Sequence, residues 1–73
     1  PPIPPNFKRF IITKSERRET GIVEAIVAFG SQCPDWKCSL LRVDQPDFEF
    51  FDSVEEIVNL YVQDAETELV WLD

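Results

Sequence analysis

The side chains best suited to chemistry in this chain are carboxylates, and the tightest group is Asp44, Asp47 and Glu49. Carboxylate oxygens suit a hard cation such as calcium. Their D-x-x-D-x-E spacing lacks the central Gly and the twelfth-position Glu of a helix–loop–helix calcium site, so the cluster reads as a solvated acidic turn. Cys33 and Cys38 bracket Pro34-Asp35-Trp36-Lys37. A closed zinc site needs about four Cys or His ligands, and the chain contains no His. Zinc would therefore require a site shared between chains. Four residues separate the cysteines, a longer gap than that of thioredoxin-like redox motifs. A disulfide across the loop would suit an oxidising compartment; a buried, reduced Cys38 on a strand and a loose Cys33 suit a reducing one.

Without His, general acid–base work falls to carboxylates, Tyr61 or a Lys. Gly21 and Gly30 are the only glycines, and they form neither a nucleophile elbow nor a phosphate-cradling loop. The expectation is a non-enzymatic protein with no metal and no cofactor.

The elements that must carry these residues follow from patterning. The 73 residues make one domain at most. A 44% hydrophobic content with six Phe and two Trp is too apolar for a disordered tail. Residues 1–6 begin Pro1-Pro2-Ile3-Pro4-Pro5 and read as a flexible, extended Pro-rich arm. Its P-x-x-P spacing is a weak docking signal. A start at Pro1 rather than Met points to a processed or excised chain, or to leader residues. Residues 7–73 read as a single α+β domain.

Phe7–Lys14 predicts a first strand, and residues 15–21 a polar hairpin loop ending in Gly. Ile22–Phe29 predicts a central strand, because both of its faces are largely apolar. Strict alternation puts Val23, Ala25, Val27 and Phe29 on one face, with Ile22, Glu24, Ile26 and Ala28 on the other. After a loop over residues 30–36, Lys37–Asp44 predicts a third strand with Cys38, Leu40 and Arg42 opposing Ser39, Leu41 and Val43. Phe48–Phe51 is a short extended lead into a helix.

The helix has the clearest start signal. Ser53-x-x-Glu56 is a capping-box pattern, with Asp52 and Glu55 as a competing pair. Val54, Ile57, Val58, Tyr61 and Val62 then form one apolar stripe that runs toward Gln63. Glu68–Leu72 predicts a final strand. The expected fold is a small two-layer α+β domain, with an antiparallel sheet of three to four strands and one helix packed on it, in the order β-β-β-α-β.

Charge is distributed unevenly. Residues 1–42 hold all seven bases against four acids, whereas residues 43–73 hold ten acids and no base. The net charge is −7, which disfavours direct nucleic-acid binding and favours basic protein surfaces. The bases Lys8, Arg9, Lys14, Arg17 and Arg18 are expected to lie across the fold from the acidic segment and partly neutralise it. Asp52, Glu55 and Glu56 sit at the helix N-terminus, where the dipole stabilises anions. Asp64, Glu66 and Glu68 follow the C-terminus, where it does not. Leu60 falls off the apolar stripe, beside Glu56 and Gln63. The expected partner-binding residues are therefore Asp52, Glu55, Glu56, Asn59, Leu60, Asp64, Glu66 and Glu68.

Residues 51–61, Phe51-Asp52-Ser53-Val54-Glu55-Glu56-Ile57-Val58-Asn59-Leu60-Tyr61, resemble the segment entering the second helix of phosphotyrosine-reading Src-homology domains. Phe10-Ile11-Ile12-Thr13-Lys14-Ser15-Glu16 is similar to their phosphate-binding strand. The resemblance implies a phosphate-clasping Arg at the position of Thr13, and Thr cannot do that work. The phosphopeptide activity is not carried over.

The function expected is a small acidic protein-binding module of inhibitor or adaptor type, similar in kind to phage- or plasmid-type inhibitors, that sets an acidic helix face against a basic partner. Mimicry of nucleic acid is a variant of it. The alternative is an assembly subunit, a homodimer formed where Phe7–Lys14 or Leu69–Leu72 pair at a sheet edge. No apolar run approaches the roughly 18–20 residues of a membrane span and no signal-peptide pattern is present, so a cytoplasmic location without membrane contact is expected.

Overall fold

Two long strands dominate the computed structural model, which describes residues 7–73. The Pro-rich arm expected over residues 1–6 lies outside the described residues. Strand β1 (Lys8–Arg18) and strand β2 (Gly21–Gln32) pair antiparallel along their whole lengths, from Lys8 opposite Gln32 to Arg18 opposite Gly21. The polar segment Ser15–Arg18, expected as loop, is therefore strand. Only Glu19 and Thr20 turn the chain, and Gly21 follows at φ 125°, a conformation open to glycine at little cost.

Strand β3 (Cys38–Arg42) pairs with β2, and strand β4 (Glu49–Phe51) pairs with β3. Helix α1 (Val54–Tyr61) follows, and strand β5 (Thr67–Trp71) returns to pair with β1. The sheet has five strands in the order β4-β3-β2-β1-β5, all neighbours antiparallel. The architecture is thus α+β as expected, but with five strands in the order β-β-β-β-α-β. The fifth strand is the three-residue β4, too short for its alternation to be read. It forms because Phe51 aligns with Cys38 and Glu49 with Leu40.

One face of the sheet carries the core. Phe10, Ile12, Ala28, Cys38 and Leu40 are buried there together with Ile57 of the helix, and Val54, Phe51, Tyr61, Val62 and Leu69 pack around them. Gly30 sits opposite Phe10, and the Phe10 ring occupies the space that a Cβ at Gly30 would need. Trp71 closes the edge of the core with a T-shaped contact to Phe10, ring centroids 5.3 Å apart.

The faces expected for β2 are corrected by a β-bulge. Ile12 lies opposite Ala28, but the next residue, Thr13, lies opposite Ile26, so Val27 is an extra residue in β2. Val27 and Ala28 both pack toward the core. Beyond the bulge the alternation is inverted, and Phe29 falls on the outer face with Ile26 and Ile22. Strand β1 is also no free edge where it pairs with both β2 and β5, from Phe10 to Lys14. The edges are β4 and β5.

Candidate functional site

The helix owes its place to its apolar stripe. Ile57 is fully buried, with Val54, Tyr61 and Val62 against the core, while Glu55, Glu56, Asn59 and Leu60 face outward. Ser53 takes the N-cap position in an extended conformation, but its side chain makes no capping bond. Only half of the expected capping box forms, and it is shifted by one residue. Glu56 Oε2 accepts from the backbone N–H of Asp52 at 3.1 Å, not from that of Ser53. At the other end Val62 N–H donates to the Val58 carbonyl at 3.0 Å, and the Gln63 side-chain amide donates to the Asn59 carbonyl.

Asp64 has a local structural reason that its sequence position conceals. Its Oδ1 accepts from the backbone N–H of Glu66 at 3.1 Å, closing the turn into β5. Hydrogen bonding from the Thr67 side chain is the main reason its carboxyl titrates below the usual range, with smaller help from the Glu66 amide and the nearby charge of Lys14. Glu66 is exposed on the same turn. Glu68 is carried away from the helix: it lies opposite Thr13 in β5, and Leu69 beside it faces the core, so Glu68 faces the outer side of the sheet.

The expected binding residues are thus spread over both ends of the helix, its exposed side and the outer face of the sheet, with Glu66 on the turn beside Asp64. Asp52 and Glu56 border a cleft of about 310 Å³ at the helix N-terminus, with Lys37, Phe50 and Phe51. Leu60 and Asp64 border a second cleft of about 380 Å³, between the end of the helix and β1–β3, with Lys14, Arg42, Val43 and Tyr61 also on its wall. Glu55 and Asn59 face solvent along the helix between these ends. Glu68 belongs with neither cleft.

Three ion pairs form among the described residues: Arg9–Asp73, Arg18–Glu16 and Arg42–Glu49. Two of them join a base from the first part of the chain to an acid from the last, but of the bases expected to do so only Arg9 does; the other is Arg42. None uses Asp52, Glu55, Glu56, Asp64, Glu66 or Glu68. The last turn of the helix holds no base, while its first turn holds Glu55 and Glu56. These carboxylates therefore form no ion pair among the described residues, although Lys37 borders the cleft of Asp52 and Glu56, and Lys14 and Arg42 border that of Asp64.

A network the sequence did not suggest anchors the helix to the sheet. Glu49 Oε1 accepts from Arg42 Nε at 2.6 Å and Glu49 Oε2 accepts from the Tyr61 hydroxyl at 2.7 Å. The Arg42 guanidinium also lies over the Tyr61 ring, 5.1 Å from its centroid. The Tyr61 hydrogen bond, reinforced by Arg42, holds the Glu49 carboxyl below its ordinary range, and the same bond pushes the Tyr61 hydroxyl up. Both Glu49 oxygens are thereby engaged, and the Asp44–Asp47–Glu49 turn does not present them to a cation. Among the described residues no group of three or more His, Cys, Asp or Glu is placed to hold a metal ion. Cys33 and Cys38 are both free thiols, with Cys38 buried and its thiol pushed up mainly by that burial.

The larger feature that sequence reading missed is the outer face of the sheet. Val70 lies beside Ile11, Ile11 beside Phe29, and Phe29 beside Leu41, a row of four apolar side chains across four strands. The signal for it was present in the two apolar faces of Ile22–Phe29. Comparison of the chain with protein-family models, with curated proteins and with solved structures gives no match. Among the described residues no helix is long and apolar enough to cross a membrane.

Proposed function

We propose that this chain is a non-enzymatic protein-binding module of inhibitor or adaptor type, acting in the cytoplasm by setting its acidic helix surface against a basic partner. The observation that carries the reading is Leu60. It is 59% exposed, on a helix whose exposed side is acidic or uncharged and whose last turn holds no base. Beside it lies the 380 Å³ cleft with Asp64 on its wall. An apolar anchor in a charged surround is the arrangement of an interface, in which the apolar contact supplies affinity and the charges steer encounter and choose the partner. Two free cysteines accord with a reducing compartment. Nucleic-acid mimicry is the form this takes if the partner's basic surface is itself a nucleic-acid groove.

The test uses residues with no role in holding the fold. Glu55→Gln, Leu60→Ser and Glu66→Gln combined leave the Glu56–Asp52 bond and the Asp64 turn untouched. The wild-type chain should retain a cellular partner that elutes at moderate salt, and that partner should be lost from the triple variant without a change in its thermal midpoint. Retention by the variant at wild-type strength would overturn the acidic-surface reading. Displacement of the chain from its partner by DNA or RNA identifies the mimicry form.

A further inference from the structure

The helix covers one face of the sheet, and nothing in the chain from residue 7 to residue 73 covers the other. On that outer face the Val70–Ile11–Phe29–Leu41 row runs across four strands. Ile26 extends it along β2, Ile22 lies on the same face beyond Glu24, and Phe50 lies opposite Ser39 on β4. Phe29 is 48% exposed, Ile26 44%, Ile22 68% and Phe50 79%. Isolated exposed apolar residues are ordinary, but a registered row such as Val70–Ile11–Phe29–Leu41, with Ile26 beside it, marks an interaction surface.

We propose that this face docks onto the same face of a second copy of the chain, as two sheets packed face to face. Charge is the first argument for that occupant. By strand alternation the outer face carries two bases, Arg9 and Arg17, and two acids, Glu24 and Glu68, beside the described strands' registered partners Ser31, Ile22, Ser15 and Thr13. Arg9 is already held by Asp73 at 2.9 Å. The face is thus close to neutral on a chain of net charge −7. It offers a basic partner little, whereas an identical face meets it without local repulsion.

Size is the second argument. Five strands at a spacing of about 4.8 Å span roughly 24 Å, in keeping with the 24 Å cross-dimension of the molecule. The apolar residues of β2 run from Ile22 to Phe29, roughly 26 Å at about 3.3 Å per residue. Strands of 11, 12, 5, 3 and 5 residues, at about 3.3 by 4.8 Å of sheet per residue, give the face roughly 550 Å² of flat area, below the ~800 Å² per partner of a standard interface and in the range of a weak, micromolar dimer. A two-fold operation makes the contact self-complementary, and aligned sheets pack about 10 Å apart with interdigitating side chains.

This surface is separate from the acidic helix side and does not depend on it. It also differs from edge pairing, since β4 and β5 keep their free edges. The experiment is sedimentation equilibrium across the micromolar range, at low salt and at about 0.5 M NaCl, where screening shortens to a few ångströms. The wild-type chain should reach twice the monomer mass, with association equal or stronger at high salt because the residual repulsion between two acidic copies is screened. Phe29→Glu and Ile26→Lys, each at an exposed site, should weaken dimerisation by about tenfold or more. Leu60→Glu, on the helix side, should not change it. A wild-type chain that stays monomeric throughout overturns the proposal. So does a dimer that forms equally in both outer-face variants, or one that Leu60→Glu dissolves. Circular dichroism of each variant establishes that it is folded, and the two substitutions are independent should one of them fail.

Discussion

Gly30→Ala is the sharpest test of how the core is assembled. Gly30 lies opposite Phe10 in the β1–β2 ladder, and its backbone is not left-handed, so alanine fits the dihedrals. Space is the obstacle. A Cβ at Gly30 would fall inside contact distance of Cζ, Cε2 and Cε1 of the Phe10 ring. That ring is 1% exposed and has Trp71 against it, so it cannot retreat without opening the edge of the core. Forcing a methyl into a packed interior costs about 1–3 kcal/mol. The loss of glycine's freedom in the unfolded chain returns about 0.4–1 kcal/mol. The net expectation is a destabilisation of roughly 0.5–2 kcal/mol, read as a fall in thermal midpoint of about 4–8 °C per kcal/mol for a domain of this size. Urea titration measures the same loss as a lower midpoint at unchanged slope. In a Phe10→Leu background the clash is removed, and Gly30→Ala should become neutral or stabilising, which gives the pair a large coupling energy. An undiminished midpoint for Gly30→Ala alone, or an equal loss in both backgrounds, would refute the packing argument.

Two further outcomes follow from titratable groups. The Arg9 side-chain hydrogen bond depresses the Asp73 carboxyl from 3.8 to about 2, so its contribution is full above the unfolded value and is lost as pH falls from about 3.8 toward 2. Glu49, also depressed, has the same sign. The gap in thermal midpoint between wild type and Asp73→Asn should therefore be widest near neutral pH and close in acid; a gap that widens in acid would contradict the assignment. Cys38 is buried and its thiol raised by burial, whereas Cys33 is partly exposed. A thiol reagent should modify Cys33 first and reach Cys38 at the rate of unfolding; equal rates in the native protein would show that the β2–β3 end of the core opens locally.

Local information made much of this legible. The Val54–Ile57–Tyr61–Val62 stripe needs only the helical period, and these are the helix residues on the core. The third strand's alternation likewise put Cys38 and Leu40 inside. The acidic character of residues 43–73 is a property of composition alone. Positions of carboxylates in three dimensions were another matter. Asp64 became a turn anchor because Glu66 N–H reaches it, and Glu68 left the helix side because β5 took a register that points Leu69 inward.

What the chain determined by itself was the kind of each element, through short-range periods and a helix start signal. What only the tertiary structure decided was which faces those elements share. The extra residue at Val27 inverts β2 and moves Phe29 to the outer face, and no local pattern announces it. Strand β4 exists because Glu49 and Phe51 find Leu40 and Cys38, and β5 joins the sheet beside β1, some sixty residues earlier in the chain (Leu69 opposite Ile12). Such pairings are fixed by the energy of the assembled sheet and by the core it encloses. A sequence window of ten residues holds neither, so the apolar outer face emerges only when the strands are laid side by side.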